Sequence, residues 1–64
     1  MKIEMKENKI ILSDKKRVLT GRGKDVEKVK KYLHEEQKRV KDWNIFLLAG
    51  VIESNFKFVW RLES

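Results

Sequence analysis

Ile45-Phe46-Leu47-Leu48-Ala49-Gly50-Val51-Ile52 is the longest apolar run in the chain, and the fold turns on whether it is a strand or a helix. Eight apolar residues in a row show no alternation, so periodicity alone does not separate a strand from a buried helix. The β-branched Ile45, Val51 and Ile52 and the glycine at 50 tip the reading to a strand. The residues that follow support it. Phe56, Phe58, Trp60 and Leu62 alternate with Lys57, Val59, Arg61 and Glu63, a period-2 pattern. With Ser54-Asn55 as the turn, Val51 would face Phe58, Ala49 would face Trp60 and Leu47 would face Leu62. Small opposite large at Ala49/Trp60 is what a filled layer requires. This hairpin gathers Phe46, Leu48, Ile52 and Val59 on its second face. A helix continued through 46–52 is the competing reading, and it removes one strand.

Upstream the patterns are clearer. Ile3 and Met5 alternate with Lys2, Glu4 and Lys6, a strand signal, and Asn8-Lys9 can form the turn because Asn tolerates positive φ. That turn pairs Met5 with Leu12; moving it to Glu7-Asn8 shifts the pairing by two. Either way Ile3, Met5, Ile10 and Leu12 share a face. Ser13-Asp14-Lys15-Lys16 reads as a second turn, followed by a short strand over 17–20 that Gly21-Arg22-Gly23 breaks. Asp25 then serves as N-cap or first-turn acid for a helix over 25–41. Within it Val26, Val29, Leu33 and Val40 form one stripe, with Tyr32 and Trp43 on its margin. The expected architecture is α+β, in the order βββαββ, with one amphipathic helix packed on one face of an antiparallel sheet. Three antiparallel strands followed by a helix are similar in topology to integrase arm-binding domains, a likeness of fold that transfers no function.

Composition narrows the chemistry. The 64 residues include 16 Lys and Arg against 10 Asp and Glu, a formal net charge of +6, with no cysteine and no proline. This excludes a disulfide scaffold, a cysteine-based zinc site, a thiol nucleophile and a multidomain enzyme. One small domain over 1–64 is expected, with a marginal core. The apolar run is far shorter than the ~20 residues that span a bilayer. The alternating N-terminus is unlike a signal peptide, so cytoplasmic residence is expected. His34 is the only histidine, which leaves a metal set incomplete and the serines without a base. The carboxylates are scattered among lysines and suggest no catalytic pair. The expectation is therefore a non-enzyme with no cofactor, no metal and no small-molecule substrate.

Charge is distributed unevenly. Residues 1–42 hold 14 Lys/Arg and 8 Asp/Glu, whereas residues 43–64 hold 2 of each. Five cations, Lys15, Lys16, Arg17, Arg22 and Lys24, fall within 14–24 beside one acid, Asp14. Arginine grips phosphate bidentately and lysine acts as a point charge. The glycines of Thr20-Gly21-Arg22-Gly23-Lys24 let backbone approach an anion at a helix start, but the Walker A spacing is missing. Lys28 extends the set along the helix with Lys24, Lys31 and Lys38. Part of that ridge is neutralised by Glu27 four residues before Lys31 and Glu35 four before Arg39. Phe56, Phe58 and Trp60 could stack on bases, yet the helix stripe needs that face as its core.

These features point to a non-catalytic, nucleic-acid-binding regulator. DNA is expected before RNA, with phosphate contacts from Lys15, Lys16, Arg17, Arg22, Lys24 and Lys28, and Arg17 and Arg22 best placed for a base edge. Size and charge fit the small regulators of phages and other mobile elements. One helix cannot cover both faces of a sheet. Phe46, Leu48, Ile52 and Val59 are therefore expected to form an interface, as a homodimer or as a protein-interaction or inhibitor surface. Membrane-surface binding is disfavoured, because the polar face of the helix is too acidic.

Overall fold

The structure is a computed structural model in which residues 1–63 are described. The elements run β1 (Lys2–Met5), β2 (Ile10–Ser13), β3 (Val18–Arg22), α1 (Val26–Val40), α2 (Ile45–Asn55) and β4 (Val59–Glu63). All strands lie in one antiparallel sheet of order β1-β2-β3-β4. The class is α+β as expected, but the order is βββααβ, with two helices in place of one.

The first hairpin takes the second of the two expected registers. Ile3 lies opposite Leu12 and Met5 opposite Ile10, and Lys6 N–H donates to the Lys9 carbonyl at 2.9 Å. Among the described residues none has a positive φ, so this turn does not use the tolerance of Asn8 for that region. β2 pairs with β3, and β3 with β4. Alternation then sorts the side chains. Ile10, Leu12, Leu19 and Gly21 point to the buried face, while Glu4, Ile11, Thr20 and Arg61 point to the other.

Gly21 does not break β3; it is a paired, buried strand residue. A Cβ there would stand 2.7 Å from a Trp60 ring carbon and closer still to the Phe58 ring. The two rings meet edge-on at 5.2 Å between centroids. The Trp60 indole nitrogen is buried without a hydrogen-bond partner among the described residues, so packing on Gly21, not a polar contact, holds this ring.

α1 buries the expected stripe of Val29, Leu33 and Val40, with Val26, Tyr32 and Trp43 half-buried against the same core. Asp25 sits at the N-cap position but makes no side-chain cap. Its carboxylate instead accepts from Lys57 N–H at 2.8 Å, and its own N–H donates to the Lys57 carbonyl. The start of α1 is thereby tied to the segment before β4. The ion pairs along α1 are Lys30–Glu27 and Arg39–Glu36, at i,i+3, rather than the expected i,i+4 pairs. The Glu36 carboxylate, hydrogen-bonded at 2.6 Å, raises the Arg39 pKa above its ordinary value.

The run 45–52 is helix, and the expected hairpin over 44–64 is corrected. Asn44 is extended (φ −64°, ψ 141°), and its side chain accepts from Phe46 N–H at 2.8 Å. That is an N-cap. The residues expected to form a turn lie at the end of this helix. Asn55 donates its side-chain amide to the Val51 carbonyl, and Phe56 N–H donates to the Ile52 carbonyl. Ile45, Leu48, Ala49 and Ile52 are buried, a spacing of i, i+3, i+4 and i+7 that only a helix brings to one side. Gly50 lies on the other side with open space where a Cβ would stand.

None of the pairs Val51/Phe58, Ala49/Trp60 and Leu47/Leu62 forms across a hairpin. β4 lies beside β3, with Leu19 opposite Leu62 and Gly21 opposite Trp60. The alternation read in β4 was sound, and only its partner changes. Among the described residues no helix is long and apolar enough to cross a membrane.

Candidate nucleic-acid interface

The basic cluster at 14–24 is continuous in sequence but divided in space. Lys15 and Lys16 sit at the tip of the β2–β3 loop, whereas Arg22 ends β3. Six residue steps along the extended chain, at ~3.3 Å each, separate Lys16 from Arg22 by roughly 20 Å. The candidates Lys15, Lys16 and Arg17 therefore occupy one end of the sheet, and Arg22, Lys24 and Lys28 the other.

At the first end Arg17 is engaged within the fold. Its guanidinium lies 3.5 Å from the Asp14 carboxylate and 4.8 Å from the centroid of the Phe46 ring. Asp14 organises this loop: its carboxylate accepts from Lys16 N–H at 2.9 Å and Arg17 N–H at 2.8 Å. Those donors, assisted by the Arg17 charge, hold the carboxyl below its ordinary pKa. A depressed folded-state pKa gives stability that is complete above the unfolded carboxylate range and lost as pH falls through the folded value. Asp14→Asn should thus be less stable than the parent at neutral pH. The gap should close on acidification below the carboxylate range, as thermal melts at a series of pH values will show.

The second end collects more charge than the sequence reading assigned to it. In an antiparallel meander the β1–β2 loop, the end of β3 and the start of β4 lie together. Lys6 and Lys9 come from the first, Arg22 and Lys24 from the second, and Lys57 from the third. None of these five forms an ion pair among the described residues. Lys28 is 3.9 Å from Asp25, and Lys30 reaches the Glu7 carbonyl at 2.8 Å and Glu27 at 3.6 Å, so both are partly satisfied. Asp25 and Glu27 already face the N-terminal dipole of α1, which weakens that helix end as a phosphate site. Lys6, Lys9 and Lys57 were missed because their closeness to Arg22 depends on strand pairing and not on sequence distance. The first hairpin and the strand before Arg22 carried that signal for Lys6 and Lys9.

The expected apolar interface does not exist as one surface. Leu48 and Ile52 are fully buried beneath α2. Phe46 lies on the helix side against Arg17, while Val59 pairs with Arg22 on the open side of the sheet. These corrections follow directly from the helical geometry of 45–55. On the open face Thr20, Arg22, Val59, Arg61 and Glu63 line a shallow depression of about 240 Å³. The aromatic residues near the basic end are occupied in packing: Phe58 is buried and Phe56 meets Tyr32 at 5.8 Å. Compared with protein-family models, with curated proteins and with solved structures, the chain matches none.

Proposed function

We propose that the protein is a non-catalytic nucleic-acid binder, for duplex DNA ahead of RNA, acting through phosphate contacts from Lys6, Lys9, Arg22, Lys24 and Lys57. The observation that supports this is that five cations from three separate segments, without ion-pair partners among the described residues, lie at one end of the sheet. Backbone phosphates need charge rather than a shaped pocket, and such contacts supply most non-specific affinity. Arg22, the one guanidinium in the set, is the group suited to a bidentate contact. Base stacking contributes little to this reading, because the nearby aromatic rings are committed to packing.

Five phosphate contacts predict a slope of about −4.5 in log affinity against log salt on duplex DNA. Fluorescence anisotropy against duplex DNA, single-stranded DNA and RNA across a salt series measures it. Lys6→Ala, Arg22→Ala, Lys24→Ala and Lys57→Ala combined should flatten the slope by about 3.6 and abolish binding at physiological salt. Lys15→Ala with Lys16→Ala, at the opposite end, should leave most of it. Absence of binding to all three probes at low salt refutes the reading.

A further inference from the structure

β4 is the last strand of the sheet, and its outer edge has no neighbour among the described residues. An edge presents unpaired N–H and C=O groups, which proteins commonly blunt with charge, proline or bulges. On the opposite edge strand, β1, the side-chain charges are already paired: Lys2 and Glu4, two residues apart on the open face, lie 3.2 Å apart. β4 carries the same pattern, with Arg61-Leu62-Glu63 matching Lys2-Ile3-Glu4. Yet Arg61 and Glu63 form no ion pair among the described residues. Between them Leu62 lies on the helix-bearing side and is 54% exposed. At the same end of the molecule α2 leaves Phe46 41% and Leu47 54% exposed. This edge thus combines free backbone groups, an apolar centre and two unpaired charges of opposite sign.

We infer that β4 is the edge through which two copies of this chain pair. A two-fold axis normal to the sheet at Leu62 keeps the helix sides of both copies on one face. It sets Leu62 against Leu62 of the partner subunit, Arg61 against Glu63 of the partner subunit, and Glu63 against Arg61 of the partner subunit. Opposite charges facing each other across an antiparallel pair are stabilising, and like charges are not. Moving the axis to Arg61 puts guanidinium against guanidinium. Moving it to Trp60 sets Arg61 against Val59 and Glu63 against Lys57 of the partner subunit, which precedes β4. Within β4 itself, the register centred on Leu62 is the one that sets both Arg61 and Glu63 against an opposite charge. A head-to-tail contact of β4 on β1 competes with the existing Lys2–Glu4 pair, and it generates a ring or an open filament instead of a two-fold dimer. The inference stands apart from nucleic-acid binding, since Arg61 and Glu63 are not among the five proposed phosphate contacts.

Sedimentation equilibrium on the full chain, from micromolar to millimolar concentration, tests it. The parent should pass from monomer to twice the monomer mass and stop there. Arg61→Glu places like charges in both pairs and should raise the dissociation constant about tenfold or more. Arg61→Glu with Glu63→Arg restores both pairs and should recover the dimer. Circular dichroism confirms that each variant stays folded, and both positions are exposed. Leu62→Asp, at the axis, should be monomeric throughout. A parent that stays monomeric, assembly beyond the dimer, a dimer indifferent to the single reversal, or a double reversal that fails to recover it each overturns the assignment.

Discussion

Leu48→Asp should leave the chain unfolded at 25 °C, whereas Leu47→Asp should fold. In α2 Leu48 is completely buried among Ile45, Ile52 and the sheet, and its neighbour Leu47 is 54% exposed. An aspartate at 48 loses the transfer energy of a leucine and has no cation with which to share a buried charge. A large-to-small change at such a site alone costs about 2–5 kcal/mol. At 0.05–0.15 kcal/mol per residue a chain of this length has roughly 3–10 kcal/mol in all. Desolvating the carboxylate takes Leu48→Asp beyond that reserve. The strand reading predicts the reverse, since it turns Leu47 toward Leu62 in the core and Leu48 outward. Far-UV circular dichroism and amide NMR dispersion distinguish the outcomes in one comparison. Leu48→Ala, measured by urea titration, keeps the test quantitative, with an expected loss of about 2–5 kcal/mol. A folded Leu48→Asp beside an unfolded Leu47→Asp would discard α2.

The same pair of residues shows why this segment was hard to read. The alternation of β1 and β4 survives as Ile3, Met5, Trp60 and Leu62 on the helix-bearing side of the sheet, and the stripe Val29/Leu33/Val40 of α1 survives as its buried side. Polar residues on the other side write the period into the sequence. α2 has no such contrast, for its exposed Phe46, Leu47 and Gly50 are no more polar than its buried Leu48 and Ile52. Two signals were nevertheless present. Asn44 stands directly before the run as an N-cap residue, and the large apolar residues fit i, i+3, i+7 at 45, 48 and 52. β-branching and Gly50 outweighed them, but Gly50 meets open space and carries no steric information. The candidate site was legible as charge and not as place. Lys16 and Arg22 look adjacent in sequence, although the strand between them carries them to opposite ends of the sheet. Lys57 looks remote because only the pairing of β3 with β4 and its hydrogen bonds to Asp25 bring it close to Lys24.

Gly21→Ala should destabilise the protein by about 3 kcal/mol, at the upper end of the usual cost of overpacking a core. The added methyl falls inside van der Waals contact of both Phe58 and Trp60. Phe58 is buried and cannot swing into solvent without emptying the core. Relief therefore requires β4 to move off β3, which threatens the pairing of Gly21 with Trp60 and Arg22 with Val59. That movement also reaches Gly23, where a Cβ would meet Lys57 and Phe58 backbone, and the Asp25–Lys57 hydrogen bonds beyond it. The site is thus stiff on two sides. Gly50→Ala is the internal control: with open space around it, alanine should gain up to about 1 kcal/mol from helix propensity. Opposite signs for one chemical change, read from urea midpoints, test both β4 and α2. Phe58→Leu placed on Gly21→Ala should recover part of the loss, giving a coupling of roughly 0.5–3 kcal/mol between the sites. Had Gly21 merely ended a strand in a turn, its substitution would cost little and Phe58 would be indifferent to it. A neutral Gly21→Ala would therefore remove β4 from the side of β3, and with it the convergence of Lys57 on Arg22 and Lys24 that underlies the proposed interface.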